Sequence, residues 1–346
     1  MTASGARKSM WTFDRSQNTL VRSESRRRRV SLTVGILLAL VCWARPHRAP
    51  AVGRRYEVRE VQPNVYVWIP EDIIDIDGDP QYSRAGNAGF FVTNDGVVIV
   101  NATNSPFHAR EMLYEIRQRT SEPVRYVIDT GGGGDEVLGN EVFADLQAPI
   151  LSTPAIQAEI EGREQSLFQR ANGNTQFQRR LRGIHITPPN QTFQGEKQLS
   201  LGGHTIRLTS FEPGLHALAV SLPSSKVAFL GDLFQNGFVP QLESRDIHKW
   251  IQALKEAEAW DIDVYVPGHG DPASKKEVEA FRQFLQWLTN EVQTRIAEGK
   301  SLDQTKAELV PFRNYSGHAK DLEPELVAEL YQQLAGAARI AEPAKQ

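Results

Sequence analysis

Two acids behind a run of glycines are the residues whose spacing most suggests chemistry. Residues 126–140 read YVIDTGGGGDEVLGN: an apolar run, four glycines, then Asp135 and Glu136. This pattern predicts a buried strand, a loop almost without side chains and the entry to a helix. Four glycines before a helix also resemble a phosphate cradle, but the lysine and hydroxyl residue of that motif do not follow them. The pattern therefore disfavours a nucleotide site.

Two later stretches also place a polar residue directly after an apolar run. Residues 226–232 read KVAFLGD and end on Asp232, and residues 264–270 read VYVPGHG around His269. In this order the three stretches resemble the metallo-β-lactamase superfamily over about residues 55–290. A lone Gly-Asp or Pro-Gly-His-Gly would be a weak signal, whereas three motifs in order, each behind a predicted strand, favour that family's fold.

The signature loop of that family reads Thr-His-x-His-x-Asp-His-x-x-Gly-Asn, and this chain matches it in part. Matching residues are Thr130, Asp135, Gly139 and Asn140, whereas the three histidine positions hold Gly131, Gly133 and Glu136. The resemblance implies a two-metal centre that activates water and polarises a carbonyl or phosphoryl oxygen. The first metal site would have no ligands here, because its third histidine aligns with Pro213 and the nearby His216 cannot hold a metal alone.

The second metal site keeps its ligands according to the same resemblance. Asp135, Asp232 and His269 stand at family ligand positions, and Glu136 replaces a histidine with a group that also coordinates. This oxygen-rich set suits zinc, iron(II) or manganese(II), and Asp135 can also act as a proton acceptor. The acids repel one another unless a cation sits among them or a proton is taken up. No lysine or arginine adjoins them in sequence, so a protein counter-ion has to come from elsewhere in the fold.

The same four residues also have an interpretation without metal. Asp135 can cap the helix that follows the loop, and Asp232 can bind backbone amides at its strand end. Glu136 can point to water, and His269 can be an ordinary turn residue between two glycines. Both interpretations stay open at this point.

The elements that position these residues follow from the periodicity of apolar side chains. Strand-like runs cover residues 56–61, 64–69, 89–93, 97–100, 197–201, 204–210, 217–222 and 227–230. Helical spacing covers residues 107–119, 245–260, 274–298 and 323–334, and residues 154–182 read as exposed helices. Strands followed by helices thus occur in two similar halves, which predicts a four-layer α/β/β/α sandwich with the sheets face to face.

The first fifty or so residues do not resemble part of a fold. Residues 26–29 are all arginine, residues 30–43 are mostly apolar, and Ala49-Pro50-Ala51 offers a small-x-small cleavage site. This order predicts an export signal and a periplasmic mature protein. The alternative is an uncleaved membrane anchor at residues 30–43, although that run is shorter than the roughly 20 residues of a typical span.

Composition excludes several classes of function. The net charge is −3, so no global field attracts nucleic acid, and the single cysteine, Cys42, permits neither an intramolecular disulfide nor a thiolate zinc site.

The alternating acids of residues 71–79 suggest a calcium loop, but the misplaced glycine and the missing final glutamate favour an acidic flap. The arginines of residues 179–182 could bind an anionic substrate, but a solvated face is favoured.

We therefore expect an export signal at residues 1–53, a metallo-β-lactamase-like domain at 54–290 and a C-terminal helical extension at 291–346. The expected function is that of an exported hydrolase-like protein with at most one metal, which activates water against an ester, thioester or lactam. The alternative is a metal-free pseudoenzyme that binds a small molecule or a partner. With either function, the protein would contact a membrane only through the N-terminal segment, if that segment is uncleaved. The sequence determines neither substrate nor oligomeric state.

Overall fold

The computed structural model describes residues 55–71, 85–242, 245–310 and 324–341, all within one compact unit, Arg54–Gln346. The predicted export segment at residues 1–53 and the acidic flap after Glu71 lie outside the described residues. Among the helices in these ranges, none combines the length and the apolar character needed to cross a bilayer.

The first sheet is antiparallel at one edge and parallel at the other. Its strands, in spatial order, are β1 Tyr56–Gln62, β2 Val65–Pro70, β3 Ala88–Thr93, β4 Gly96–Val100, β5 Val124–Ile128, β6 Ile150–Ser152 and β7 Gln191–Thr192. Strands β1 to β4 pair antiparallel, and β4 to β7 pair parallel. The predicted β1–β2 and β3–β4 hairpins are confirmed.

The second sheet contains the strands that carry the two later motifs. In sequence order they are β8 Glu196–Leu201, β9 His204–Ser210, β10 Leu218–Leu222, β11 Val227–Gln235 and β12 Val264–His269. Neighbours from β8 to β11 pair antiparallel, whereas β11 and β12 pair parallel. Strand β11 continues past its predicted end at Leu230, so Asp232 lies within the strand, where the pairing with β12 is irregular.

Most longer helices follow the predicted pattern, whereas the helix at Leu302–Leu309 was not predicted and the last helix extends past its predicted end at residue 334. Within the described ranges the helices are α1 Pro106–Arg117, α2 Gly134–Val137, α3 Asn140–Ala144, α4 Pro154–Ala171, α5 Thr175–Arg180, α6 Ile247–Glu258, α7 Lys275–Ala297, α8 Leu302–Leu309 and α9 Pro324–Ala341. Asp246 begins α6 by accepting hydrogen bonds from the His248 and Lys249 amides, and Ser274 begins α7 with a capping box. The prediction that residues 154–182 are exposed is only partly right, because Ile160 is fully buried.

Three apolar clusters define the order of the layers. Between the two sheets, Phe91 of β3 and Leu208 of β9 belong to one buried cluster. On the outer face of the first sheet, Ile99 of β4 packs with Met112 of α1, and on the outer face of the second a further cluster includes Trp250 of α6. Helices thus cover both outer faces, and the predicted α/β/β/α sandwich is confirmed.

The two sheets are joined by hydrogen bonds at the edge where the motifs meet. The Thr130 carbonyl, behind β5, accepts from the Leu218 amide of β10 at 2.9 Å. The backbone amide of Asn87 donates to the Gly268 carbonyl at 2.6 Å, and the Asn87 side-chain nitrogen donates to the Pro267 carbonyl at 3.0 Å. The glycine-rich loop and the end of β12 are therefore held at one place.

A buried carboxyl–amide pair fixes the start of the glycine-rich loop. The Asn140 side-chain nitrogen donates to Asp129 Oδ2 at 2.8 Å and to the Thr187 carbonyl at 3.0 Å. Asp129 Oδ1 and Asn140 Oδ1 are buried without a hydrogen-bond partner among the described residues. Burial raises the pKa of Asp129 to about 8, against the opposing effect of the Asn140 hydrogen bond. A protonated Asp129 carries an O–H donor in addition to its acceptor oxygens.

The pKa of Asp129 predicts a pH-dependent free energy of unfolding. The folded chain keeps this proton up to about pH 8, whereas an ordinary aspartate loses it near 3.8. The protonated carboxyl therefore makes its full contribution to the free energy of unfolding below roughly pH 4. This contribution is lost as pH rises toward about 8, by up to about 1.4 kcal/mol per pH unit. Asp129→Asn keeps a donor at this place without titrating, so urea unfolding should show a flatter pH profile for this variant.

The exposed Asp145, after α3, is the matched control. Asp145→Asn should leave the wild-type pH profile unchanged. Parallel profiles for wild type and Asp129→Asn between about pH 5 and pH 7 would show that Asp129 is ionised in the folded chain.

Candidate functional site

Three of the predicted ligands meet at the joined edge of the sheets. Asp135 lies in the first turn of α2, Asp232 in β11, and His269 at the end of β12. His269 Nε2 lies 3.3 Å from Asp135 Oδ2 and 3.7 Å from Asp232 Oδ1. Gly268 permits this approach, because a Cβ there would overlap Asp232 Oδ1. The structure thus brings these three side chains together.

Glu136 is buried beside this meeting point, and its carboxyl group is hydrogen-bonded within the protein. Its Oε1 accepts from the Asn101 side-chain nitrogen at 3.0 Å and from the Thr130 hydroxyl at 2.9 Å, and its Oε2 accepts from the Gly133 amide at 3.3 Å. The residue is only 2% exposed, so the suggestion that it points to water is wrong. Two buried polar side chains and a backbone amide satisfy this carboxyl group instead.

The glycine at residue 131 creates the room that Glu136 occupies. A Cβ built on Gly131 would overlap Glu136 Oε2, and a Cβ on Gly133 would lie 3.3 Å from the same atom. These are the places from which two imidazoles would extend in the family pattern. The Glu136 carboxyl thus fills part of the space that the absent histidines leave.

Arginines from distant parts of the chain bring positive charge to the acids. Arg245, just before α6, places Nη2 3.7 Å from Asp232 Oδ2, and its side chain is 11% exposed. Arg163 of α4 adds positive charge near Asp135, while its own Nη2 lies 3.4 Å from Glu159 Oε1. Neither arginine is near an acid of the cluster in sequence. The fold thus brings to the acids positive charge that the neighbouring sequence lacks.

The pKa values of the two adjacent acids move in opposite directions. Burial alone would raise the pKa of Asp135, but the hydrogen bond and charge of His269, a backbone hydrogen bond and the charge of Arg163 together hold that pKa below its ordinary value. Burial raises the pKa of Glu136 well above its ordinary value, and the charges of Asp232 and Asp135 raise it further. Glu136 therefore favours its neutral form, which lowers the repulsion within the cluster.

The region of the first metal site is covered by α4. A Cβ on Gly132 would lie 2.5 Å from Glu159 Cδ, so this carboxylate lies against the glycine-rich loop. His216 Nδ1 lies 3.7 Å from Glu159 Oε2, and the Pro213 carbonyl accepts from the Lys249 ammonium at 3.0 Å. Polar contacts within the protein thus surround the place where the family pattern would have three histidines.

The donor set does not fit the two-metal centre that the resemblance implies. Within the parts of the chain that are described, no three or more His, Cys, Asp or Glu side chains are arranged to hold a metal ion. Glu136 already has protein partners, and the Arg245 guanidinium faces Asp232. One observation points the other way: Asp232 Oδ1 is buried without a hydrogen-bond partner among the described residues. The metal role of Asp135, Glu136, Asp232 and His269 stays a prediction.

Comparison with known families identifies the architecture. The profile of the metallo-beta-lactamase superfamily matches residues 82–269, which is more than half of this chain of 346 residues. The chain belongs to the metallo-β-lactamase superfamily. This assignment covers the glycine-rich loop, Asp232 and His269, and it agrees with the two packed sheets.

Individual relatives of this superfamily member are distant. A linear primary-alkylsulfatase from Pseudomonas sp. (strain ATCC 19151) is 20% identical over 216 residues, which is 53% of this chain and 41% of that protein. The chain thus spans less than half the length of this relative. A metallo-beta-lactamase from Pontibacter korlensis superposes with a TM-score of 0.52 at 18% identity, over 67% of this chain and 99% of that one. The DIM-1 metallo-beta-lactamase superposes with a TM-score of 0.51 at 16% identity, over 67% of this chain and 98% of that one. These similarities establish the fold alone.

Three residues of the site had no role in the prediction from sequence. Asn101 follows β4 and holds Glu136, Glu159 covers the glycine-rich loop, and Arg245 faces Asp232. A polar residue directly after a buried strand was a usable signal for Asn101. The other two lie on a polar helix and in a connecting segment, where local sequence carries no such signal.

The contact between Gly131 and Glu136 predicts an unusual cost for a small substitution. Gly131→Ala should lower the free energy of unfolding by roughly 1–3 kcal/mol, because the new methyl group displaces a buried carboxyl from its donors. In a Glu136→Ala background the same change should cost much less, because the methyl group then has room. Chemical denaturation of the four proteins measures this coupling.

Gly162 is the matched control, because it lies within α4 and a Cβ there meets nothing within 4 Å. Gly162→Ala should be neutral or stabilising by about 0.5–1 kcal/mol. Equal costs of Gly131→Ala with and without the Glu136 side chain would show that the two residues are not in contact.

Proposed function

We propose that this protein works without a bound metal and binds a small molecule in the hollow at the joined sheet edge. The observation that carries this proposal is the environment of Glu136, whose carboxyl is held by Asn101, Thr130 and the Gly133 amide. Three protein donors already take up most of the acceptor capacity of this carboxyl group, so coordination of a metal would compete with these hydrogen bonds. Because the other two acids face His269 and Arg245, the cluster has charge partners of its own.

The proposed binding site is a cavity beside His269. Its volume is about 370 Å³, which is within the range that small-molecule sites occupy. It is lined by Ile69, Pro70, Glu71, Ala85, Asn87, Asn236, Gly237, Phe238, His269, Gly270 and Asp271. The apolar side chains Ile69 and Phe238 suit a ligand with an apolar body, and the polar groups suit one with a polar end.

A single-metal hydrolase is the second candidate. It is favoured by the buried Asp232 Oδ1, which has no hydrogen-bond partner among the described residues, and by the position of His269 Nε2 near both aspartates. In this candidate Asp135, Asp232 and His269 would hold the ion, with Glu136 as a further ligand once it turns outward. The ion would supply activated water for an ester, thioester or lactam, and Asp135 would accept a proton.

We also propose that the protein is exported and matures in the periplasm. The support is the order of the basic residues 26–29, the apolar residues 30–43 and the small residues 49–51. The alternative remains a membrane anchor formed by residues 30–43.

The proposed function predicts ligand binding that does not depend on metal. The full-length chain, incubated with zinc, iron(II) or manganese(II) and then desalted, should hold no stoichiometric metal by plasma mass spectrometry. The fluorescent probe 8-anilinonaphthalene-1-sulfonate should bind saturably with and without EDTA, because the Phe238 and Ile69 side chains offer it an apolar surface.

Phe238→Ala should weaken binding of this probe, whereas Phe107→Ala should not, because Phe107 lies on the exposed face of α1 and does not line the cavity. Two results together would reject the proposal in favour of the hydrolase. Wild type would hold stoichiometric metal that Asp232→Ala lacks, and it would hydrolyse nitrocefin or p-nitrophenyl acetate in an EDTA-sensitive way.

Export predicts a difference in mass between the precursor and the mature chain. Mass spectrometry of the protein recovered from a periplasmic extract should place the new N-terminus just after Ala51, because small residues precede the cleaved bond. Ala49→Leu together with Ala51→Leu should block this cleavage. A full-length chain found only in membranes would support the anchor instead.

A further inference from the structure

Arg245 is held firmly next to the acids by several contacts. Its Nη1 donates to the Gln241 carbonyl at 3.2 Å, and its Cζ lies 5.4 Å from the centre of the Trp250 ring. Trp250 is itself anchored, because its indole nitrogen donates to the Leu233 carbonyl at 2.8 Å, one residue after Asp232. The guanidinium and the carboxylate it faces are therefore positioned by the same strand and helix.

The C-terminal helix also fixes the backbone around Arg245. The Gln333 side-chain nitrogen donates to the Arg245 carbonyl at 2.9 Å, and the Gln333 side-chain oxygen accepts from the Ile247 amide at 3.0 Å. The Gln333 side chain on α9 thus forms hydrogen bonds to the backbone on both sides of residue 246. Gln333 is a positioning residue for Arg245, and it lies in the extension at residues 291–346.

We propose that Arg245 is the resident cation of the second metal site and that it lowers the affinity of Asp135, Asp232 and His269 for a divalent ion. This inference rests on the proposed metal-independent function. A divalent ion among these side chains would lie close to the guanidinium, and two positive charges in a partly buried site repel strongly. The arginine also already balances part of the charge that would attract the ion.

Arg245 is better suited to this role than Arg163. Arg163 lies 3.4 Å from Glu159, a carboxylate outside the ligand set, so part of its charge is already balanced. Arg245 instead faces Asp232, one of the predicted ligands, at 3.7 Å. Removing Arg245 therefore takes a positive charge from directly beside a ligand carboxylate.

The test is a gain of metal binding when Arg245 loses its charge. Full-length wild type and Arg245→Gln, both stripped with EDTA, are titrated with zinc chloride by calorimetry. Arg245→Gln should bind zinc one-to-one and at least about 10-fold more tightly than wild type, because the competing charge is gone. The double variant Arg245→Gln with His269→Ala should lose this gain, which locates the ion at the site.

Two further variants make the result specific. Arg282→Gln removes another part-buried arginine, which pairs with Glu258 at 2.6 Å on the outer helices, and should leave zinc affinity unchanged. Gln333→Ala keeps the Arg245 charge but loosens its position, and should give a smaller gain than Arg245→Gln. Gln333→Ala also keeps the proposal testable if Arg245→Gln does not fold.

The possible outcomes separate this inference from the proposed function. A folded Arg245→Gln that binds zinc no better than wild type, or a gain that survives His269→Ala, overturns the role of Arg245. Metal-free wild type would still leave the proposed function standing in that case. If wild type binds zinc stoichiometrically and Arg245→Gln binds it with higher affinity, the proposed function is rejected and the role of Arg245 is supported.

Discussion

Neutralising a cluster of carboxyl groups at the edge of two packed sheets is the constraint on which this site depends. Asp135, Glu136 and Asp232 come together because the short helix α2 and the irregular part of β11 lie at one place, and partial burial makes the repulsion of the acids costly. His269 lies between the two aspartates, Arg245 faces Asp232, and Glu136 is held by neutral donors. The arrangement of nearby side chains follows from this need for compensation.

The residues that match the family pattern have structural roles that do not need a metal. Thr130 donates to Glu136, and its carbonyl joins the glycine-rich loop to the second sheet. Asn140 pairs with the buried Asp129 and ties the loop to residue 187. Such contacts explain how the frame of a metallo-β-lactamase loop persists in this chain while imidazoles are absent from it. The fold is thus compatible with more than one chemistry at the same edge.

Charge compensation also links parts of the chain that are far apart. Arg245 lies after β11, and its backbone carbonyl accepts a hydrogen bond from Gln333 on the C-terminal helix. Glu159 and Arg163 come from α4, which the sequence marked only as a polar, exposed segment. The helices outside the sandwich therefore take part in the site and do not merely cover the sheets.

Apolar periodicity was enough to predict most strands, the longer helices and the α/β/β/α order, because burial of one face of each element is a local property of sequence. It did not predict the short elements β6, β7 and α8. The resemblance of three motifs to one family implied a common site for Asp135, Asp232 and His269, and the structure brings these side chains together. The hydrogen bonds of Glu136 and the approach of Arg245 could not be predicted in this way. They depend on donors and charges that residues 101, 130 and 245 bring from separate elements, and only the packed tertiary structure brings those groups within hydrogen-bonding or ion-pairing distance.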